Sequence, residues 1–413
     1  MMIGWNKKMG VNIVFKSLDP GISFNDLIIA GEIPFEDNST PEEHQITRMF
    51  NEIEELHPYE YLNLIESNIP DKLISTMNYF EIKNLAKIFQ NKITSFFGFE
   101  TDISNNDKKS DYLFAISSRN GEREALLQLL ENDVLPASFL NNSKWQNIHR
   151  FTKEWSNSDS ILFSKVHGLW FEFDSSEFSN EIPIPSVFFH PASIKASKLD
   201  KIEDKWFTRI ALPMLTGKKL SRKIEDNIFR CVENLPPGAA LFQIGAMLSR
   251  SSDSVRLVFK RIQPNDIIPY LKSIGYQEDT TELKEMLNEL KEFVTRMVLH
   301  IRVGEKIDPA VGIEGSFYPD RYHEETGWAK FLDYLKDKGL CHPEKYSALI
   351  NYPGIETNEN EYDNEADYIP SIKTSDNSKI KTLIRYISHI KISYSPYKKL
   401  EAKAYSGVRL FSY

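Results

Sequence analysis

The chain has 413 residues, 41% of them hydrophobic and 26% charged, with a formal net charge of −9. That is ordinary soluble-globular composition with enough chain for a large core; the acidic balance excludes a phosphate-backbone footprint spread over the whole surface, so no nucleic acid is expected as a partner. No run approaches the about 18 consecutive apolar residues of a membrane helix. The N-terminal MMIGWNKKMGVNIVF lacks an apolar signal core, and Cys231 and Cys341 make neither a disulfide framework nor a zinc site, so a reducing, cytoplasmic setting is expected, with no membrane partner.

In chain order, VNIVF reads as a strand, and residues 40 to 155 read mainly as helices. STPEEHQITRMFNEIEELH opens with a Ser/Thr cap, a proline and first-turn glutamates. FEIKNLAKIFQNKITSFFGF keeps helical spacing up to Gly98, and DISNNDKKSD is a polar loop. GEREALLQLLEND and NSKWQNIHRFTKEWSN are amphipathic helices, the second through Trp145, Ile148, Phe151 and Trp155.

The pattern changes near residue 160. ILFSKVHGLWFEFDSS and PIPSVFFHPAS read as a strand pair. LSRKIEDNIFRCVENL is a helix closed by Pro236, Pro237 and Gly238. AALFQIGAML and SVRLVFKRI form a hairpin. PNDIIPYLKSIG, with Pro269 inside it, and DTTELKEMLNELKEF are helices. RMVLHIRV and PAVGIEGSF are strands, followed by helices in TGWAKFLDYLKDKGL and HPEKYSALI. After the acidic stretch ETNENEYDNEAD, the sequence ISHIKISYSPYKKLEAKAYSG makes a last hairpin.

This order repeats helix, strand, strand, helix. Short links between paired strands imply antiparallel hairpins, and the repetition implies hairpins added side by side with helices on one face. The expected fold class is α+β: a mainly helical region over residues 1–155, then an antiparallel sheet over 156–413, closed into a barrel with helices outside.

Side chains alternate faces along a strand. Val255, Leu257 and Phe259 oppose Arg256 and Lys260. Leu299, Ile301 and Val303 oppose His300 and Arg302. Val311 and Ile313 oppose Gly312 and Glu314, and Phe171 and Phe173 oppose Trp170 and Glu172. Phe242, Ile244 and Ala246 oppose Leu241, Gln243, Gly245 and Met247. Ile390, Ile392, Ala402 and Ala404 oppose His389, Lys391, Lys403 and Tyr405. An open antiparallel sheet would show this second face to water. Against that, Trp170, Leu241, Met247 and Tyr405 are poor solvent-facing residues, and Gly245 and Gly312 leave room for close approach. The second face is therefore expected to look at a ligand.

Closed into a barrel, these features resemble the aromatic prenyltransferase barrel, the ABBA fold, over residues 110–413. The resemblance implies that Arg256, Lys260, Arg302, Lys391 and Lys403, with Tyr405 beside them, hold an allylic diphosphate donor. It implies that Glu172 and Glu314 orient an aromatic or peptide acceptor or act as base, and that no metal or other cofactor is required. Trp170, Gln243 and Met247 complete the expected lining. The chain departs from that family at His300 and His389, which stand at equivalent places in VLHIRV and ISHIKI and are acid–base candidates in their own right. The competing reading is a non-catalytic binding protein that uses the same concave face for a peptide or small molecule. His-x-basic does not match the His-x-Thr or His-x-Ser of two-histidine phosphoesterases, and no Walker or dinucleotide glycine loop is present.

Overall fold

The computed structural model describes residues 57–412, apart from 90–92, 95, 120, 132–134, 192–193, 196–201, 251–252, 319–320 and 358–380. The VNIVF segment, nearly all of STPEEHQITRMFNEIEELH and most of the acidic stretch lie outside the described residues.

The strands are β1 (Phe96–Asp102), β2 (Ser110–Ser117), β3 (Val166–Phe173), β4 (Ser186–Pro191), the short β5 (Ile194–Lys195), β6 (Ala240–Ala246), β7 (Val255–Lys260), β8 (Arg296–Val303), β9 (Ile307–Ser316), β10 (Gly354–Thr357), β11 (Lys381–Ser395) and β12 (Lys398–Ser412). Neighbours run β11-β12-β1-β2-β3-β4-β6-β7-β8-β9, and β9 pairs back onto β11. Ten antiparallel strands thus close a ring, with β5 on β6 and β10 on β11 as side additions. Closure uses the length of β11: its first half pairs β10, while Ile390–Tyr394 pair Val311–Gly315 of β9.

Helices fill the gaps between hairpins. Glu122–Glu131 and Ser143–Ser156 lie between β2 and β3, and Arg222–Glu233 precedes β6. Pro264–Ser273 and Thr281–Leu290 join β7 to β8, and Gly327–Asp337 with Pro343–Asn351 lead from β9 to β10. Their apolar stripes meet the outward face of the barrel. Trp145, Ile148, Phe151 and Trp155 share one core with Phe171, Phe189, Leu257, Leu299, Ile313 and Ile390. The main core therefore sits between sheet and helices, and the polar faces of the strands turn inward.

The structure corrects the sequence reading in three places. First, the helix expected through FEIKNLAKIFQNKITSFFGF covers only Thr76–Ala86, and FFGFETD is strand β1. Phe97 and Phe99 pack outward near Tyr61 and Tyr79, with ring centroids 6.1 and 6.2 Å apart. Phe96 and Gly98 line the lumen, and Glu100 is buried on the same side. A strand buried on both faces has no alternation to read. Second, bulges shift the face. One between Leu241 and Gln243 puts Leu241 in the outer core and Phe242 on the lumen, the reverse of the simple parity. Another between Ile387 and His389 brings both Ser388 and His389 to the lumen. Met247 lies beyond the end of β6, buried and off the cavity wall. Third, the room at the two glycines is taken by neighbouring side chains. A Cβ on Gly245 would stand 2.5 Å from the Phe188 ring, and one on Gly312 would stand 3.1 Å from the His300 Cβ.

Among the described residues no helix is long and apolar enough to cross a membrane. Ile390 is fully buried on the outward face of β11. Ile390→Asp, which deletes that packing and buries a carboxylate, is expected to destabilise the protein by at least about 3 kcal/mol in chemical denaturation. A loss below about 1 kcal/mol would contradict the assignment of that face to the core.

Candidate functional site

The barrel encloses a cavity with about 970 Å³ of empty space, its open mouth included. Nine of the residues singled out in the sequence line it together: Trp170, Glu172, Gln243, Arg256, His300, Glu314, His389, Lys391 and Tyr405. Four others do not border it. Lys260 is buried with its ammonium over the Phe242 ring, 4.8 Å from the centroid. Arg302 is half exposed and paired with Asp308 at 3.0 Å. Lys403 sits behind the wall, on Glu100, and Met247 is placed as described above.

Glu100 organises one side of the lumen. Its carboxylate accepts hydrogen bonds from Lys391 Nζ at 3.3 Å and, at closer range, from Lys403 Nζ and the Tyr405 hydroxyl. Lys391 also donates to the Tyr405 oxygen. The register explains the gathering: Glu100 faces Tyr405 across β1 and β12, and Lys403 faces Lys391 across β12 and β11. Burial alone would raise the Glu100 carboxyl, but the fields of Lys391 and Lys403 outweigh it and hold it well below the usual range. Burial raises the Tyr405 hydroxyl, and so does Glu100, which keeps it a donor.

Glu314 organises the other side. Its Oε1 lies 2.5 Å from His300 Nε2 and 3.3 Å from His389 Nε2. Neither contact has the geometry of an aligned ring N–H hydrogen bond, and each becomes an ion pair only when its imidazole is protonated. Burial would raise Glu314, yet the two imidazoles dominate and keep it ionised. Burial lowers His300, with Lys391 and Arg256 adding to the effect against the pull of Glu314.

Two further carboxyls are pushed toward neutrality. Burial, with Glu100 adding, raises Glu172, which has no hydrogen-bond partner among the described residues. Burial and Glu100 push Asp111 up to about 7, although its carboxylate accepts from the Ser175 N–H at 2.6 Å. Arg256 has no carboxylate partner among the described residues and lies over the Phe188 ring at 5.7 Å. Arg256, Arg296 and Lys391 border the cavity, Lys403 is spent on Glu100 behind its wall, and Glu314 is the one ionised carboxylate among the lining residues, so the lumen favours an added anion.

The opposite end is aromatic. Phe96 packs edge-on against Trp170 at 5.0 Å and parallel to Tyr386 at 6.3 Å, Tyr322 caps Tyr386 at 4.9 Å, and Arg409 lies 4.3 Å over Phe96. The sequence reading passed over Phe96, Glu100, Phe188, Arg296 and Ser388, and it put Phe242 on the outer face. The polar Glu100 ringed by phenylalanines in FFGFETD was the one available signal for the first two. Among the described residues no group of three or more His, Cys, Asp or Glu is placed to hold a metal.

The closed ring of ten antiparallel strands with helices outside is the barrel expected from the sequence. No family model and no curated protein matches the chain. Solved structures similar to it include AnaPT from Neosartorya fischeri, at 12% identity and TM-score 0.44, covering 89% of this chain and 94% of that one. The apo form of the prenyltransferase PriB is similar at 10% identity and TM-score 0.49, covering 85% and 96%. At such scores the likeness carries no functional argument.

Glu100→Gln strands the buried Lys391 ammonium and the partly buried Lys403 ammonium. It is expected to cost about 3–5 kcal/mol of stability near pH 7. The wild-type advantage comes from a depressed folded-state pKa, so it is complete above the unfolded value near 4.5 and is lost as pH falls through the folded value. Denaturation of both proteins from pH 7 to pH 3 checks this: the gap should narrow only below about pH 4.5.

Proposed function

We propose that the protein is a transferase that moves a prenyl or similar group from a diphosphate donor to an aromatic acceptor, free or on a peptide, inside the barrel lumen. The observation that carries the reading is the pairing, in one enclosed cavity, of excess positive charge with an aromatic end. A diphosphate fits beside Arg256, Lys391 and Tyr405, where a guanidinium fork, an ammonium and a phenol stabilise the departing oxygen. Phe96, Trp170, Phe188 and Phe242 offer ring faces that shield a developing allylic cation from water. Glu172, pushed by burial toward its neutral form, would hydrogen-bond the acceptor. Lys260 and Arg302 stand outside this group and would act on the donor only indirectly.

A second reading is favoured by one observation: Lys391 and Lys403 already have Glu100 as partner. Cations so neutralised suit a binding protein for a peptide or small molecule with no chemistry. The assay that separates the two incubates the protein with dimethylallyl diphosphate and a panel of indole, tyrosine and naphthol acceptors, with products read by mass. The transfer reading expects a prenylated product, and Arg256→Ala is expected to lower kcat/KM by about 10- to 150-fold, the worth of one charge-assisted contact. Retention of the acceptors with no product from any of them would favour the binding protein.

A further inference from the structure

The bulge in β6 puts two consecutive side chains, Phe242 and Gln243, on the cavity wall. One residue behind that wall touches both. His190, near the end of β4, is fully buried; its ring meets Phe242 edge-on at 5.0 Å, and its Nε2 lies 3.3 Å from the Gln243 amide nitrogen. The Lys260 ammonium backs the Phe242 ring at 4.8 Å. The wall therefore carries a flat apolar ring beside a polar amide, both held from behind.

Burial, with Lys260 and then His167 adding, holds His190 well below the usual imidazole range, so the ring is neutral and keeps one lone pair. An amide nitrogen has only hydrogens to offer, so the Gln243 N–H donates to Nε2. The amide oxygen is left over. It takes no hydrogen bond from a described residue and is not sealed inside the wall, since Gln243 is half-buried and borders the cavity. That oxygen can only accept. An ionised diphosphate with a hydrocarbon tail has no hydrogen to give it, whereas an aromatic acceptor with a ring N–H or a phenol O–H does. Resting on the transfer reading above, we propose that Gln243 selects the acceptor: its amide oxygen takes a hydrogen bond from the acceptor's N–H or O–H while Phe242 packs against the ring, and His190 is the positioning residue for both.

The test uses matched acceptors that differ only in the hydrogen: indole against 1-methylindole, and 1-naphthol against 1-methoxynaphthalene. With dimethylallyl diphosphate as donor, the wild type should prefer the member with the hydrogen by about 2- to 12-fold in kcat/KM, the worth of one neutral hydrogen bond. Gln243→Met keeps the bulk of the side chain, and with it any steric bias against the methyl group, but loses the oxygen. It should cut the preference by that same factor, with the KM for the donor unchanged. His190→Phe should do the same, and His190→Gln, which still offers an acceptor to the Gln243 N–H, should restore the preference. Equilibrium binding of the same pairs to pyrophosphate-loaded protein reads the ratio without chemistry. In the unmodified protein at pH 7, 15N shifts of labelled histidine should report His190 as the Nδ1–H tautomer; an Nε2–H tautomer would mean that the amide is turned round and would overturn the proposal. Product formed with a preference that Gln243→Met leaves intact would overturn the proposal and leave the transfer reading standing. No product, but a Gln243-dependent ratio in binding, would sink the transfer reading and keep the assignment of the oxygen. No product and no ratio would sink both.

Discussion

The pairing of Ile390–Tyr394 in β11 with Val311–Gly315 in β9 is the constraint on which everything else depends. Without it the strands form a twisted open sheet whose inner face meets water, and Glu100, Glu314, Lys391 and His300 become solvated surface charges worth little. With it, the same residues are withdrawn from water and must satisfy one another. The outer helices make that closure stable by covering the apolar face, so the core lies around the barrel rather than inside it.

Closure also sets the electrostatics. Each ionised carboxylate in the lumen is held by a pair of cationic or imidazole partners: Glu100 by two lysines, Glu314 by two histidines. The carboxyls without such pairs, Glu172 and Asp111, rise toward neutrality. A buried site cannot keep unpaired negative charge, and the surplus that remains is positive. That one rule accounts for the ion pairs, the shifted acids and the preference for an anionic ligand.

Much of this was legible in the sequence. Away from the bulges, the strands from residue 255 onward alternate, and the inward positions of Arg256, His300, Glu314, His389 and Lys391 follow from that alternation. Three features were hidden for physical reasons. FFGFETD is apolar on both faces, so β1 carried no period and Glu100 was lost with it. The bulges at Phe242 and Ser388 exchange faces without a mark in the pattern, since an added residue looks like any other. Partner choice was also invisible: Arg302 is inward by parity but sits level with the turn after β8, where Asp308 takes it, and Lys403 is held by a carboxylate from a strand the pattern did not show.

The central claim is that the closed lumen is built for an anion beside an aromatic surface. Calorimetric titration with inorganic pyrophosphate tests it most directly, since this probe carries the charge and nothing else. The account predicts saturable binding at about millimolar concentration or below in 50 mM salt, weakening steeply by 500 mM, and lost in Arg256→Ala. No binding at low salt, or binding indifferent to both salt and Arg256, would contradict it.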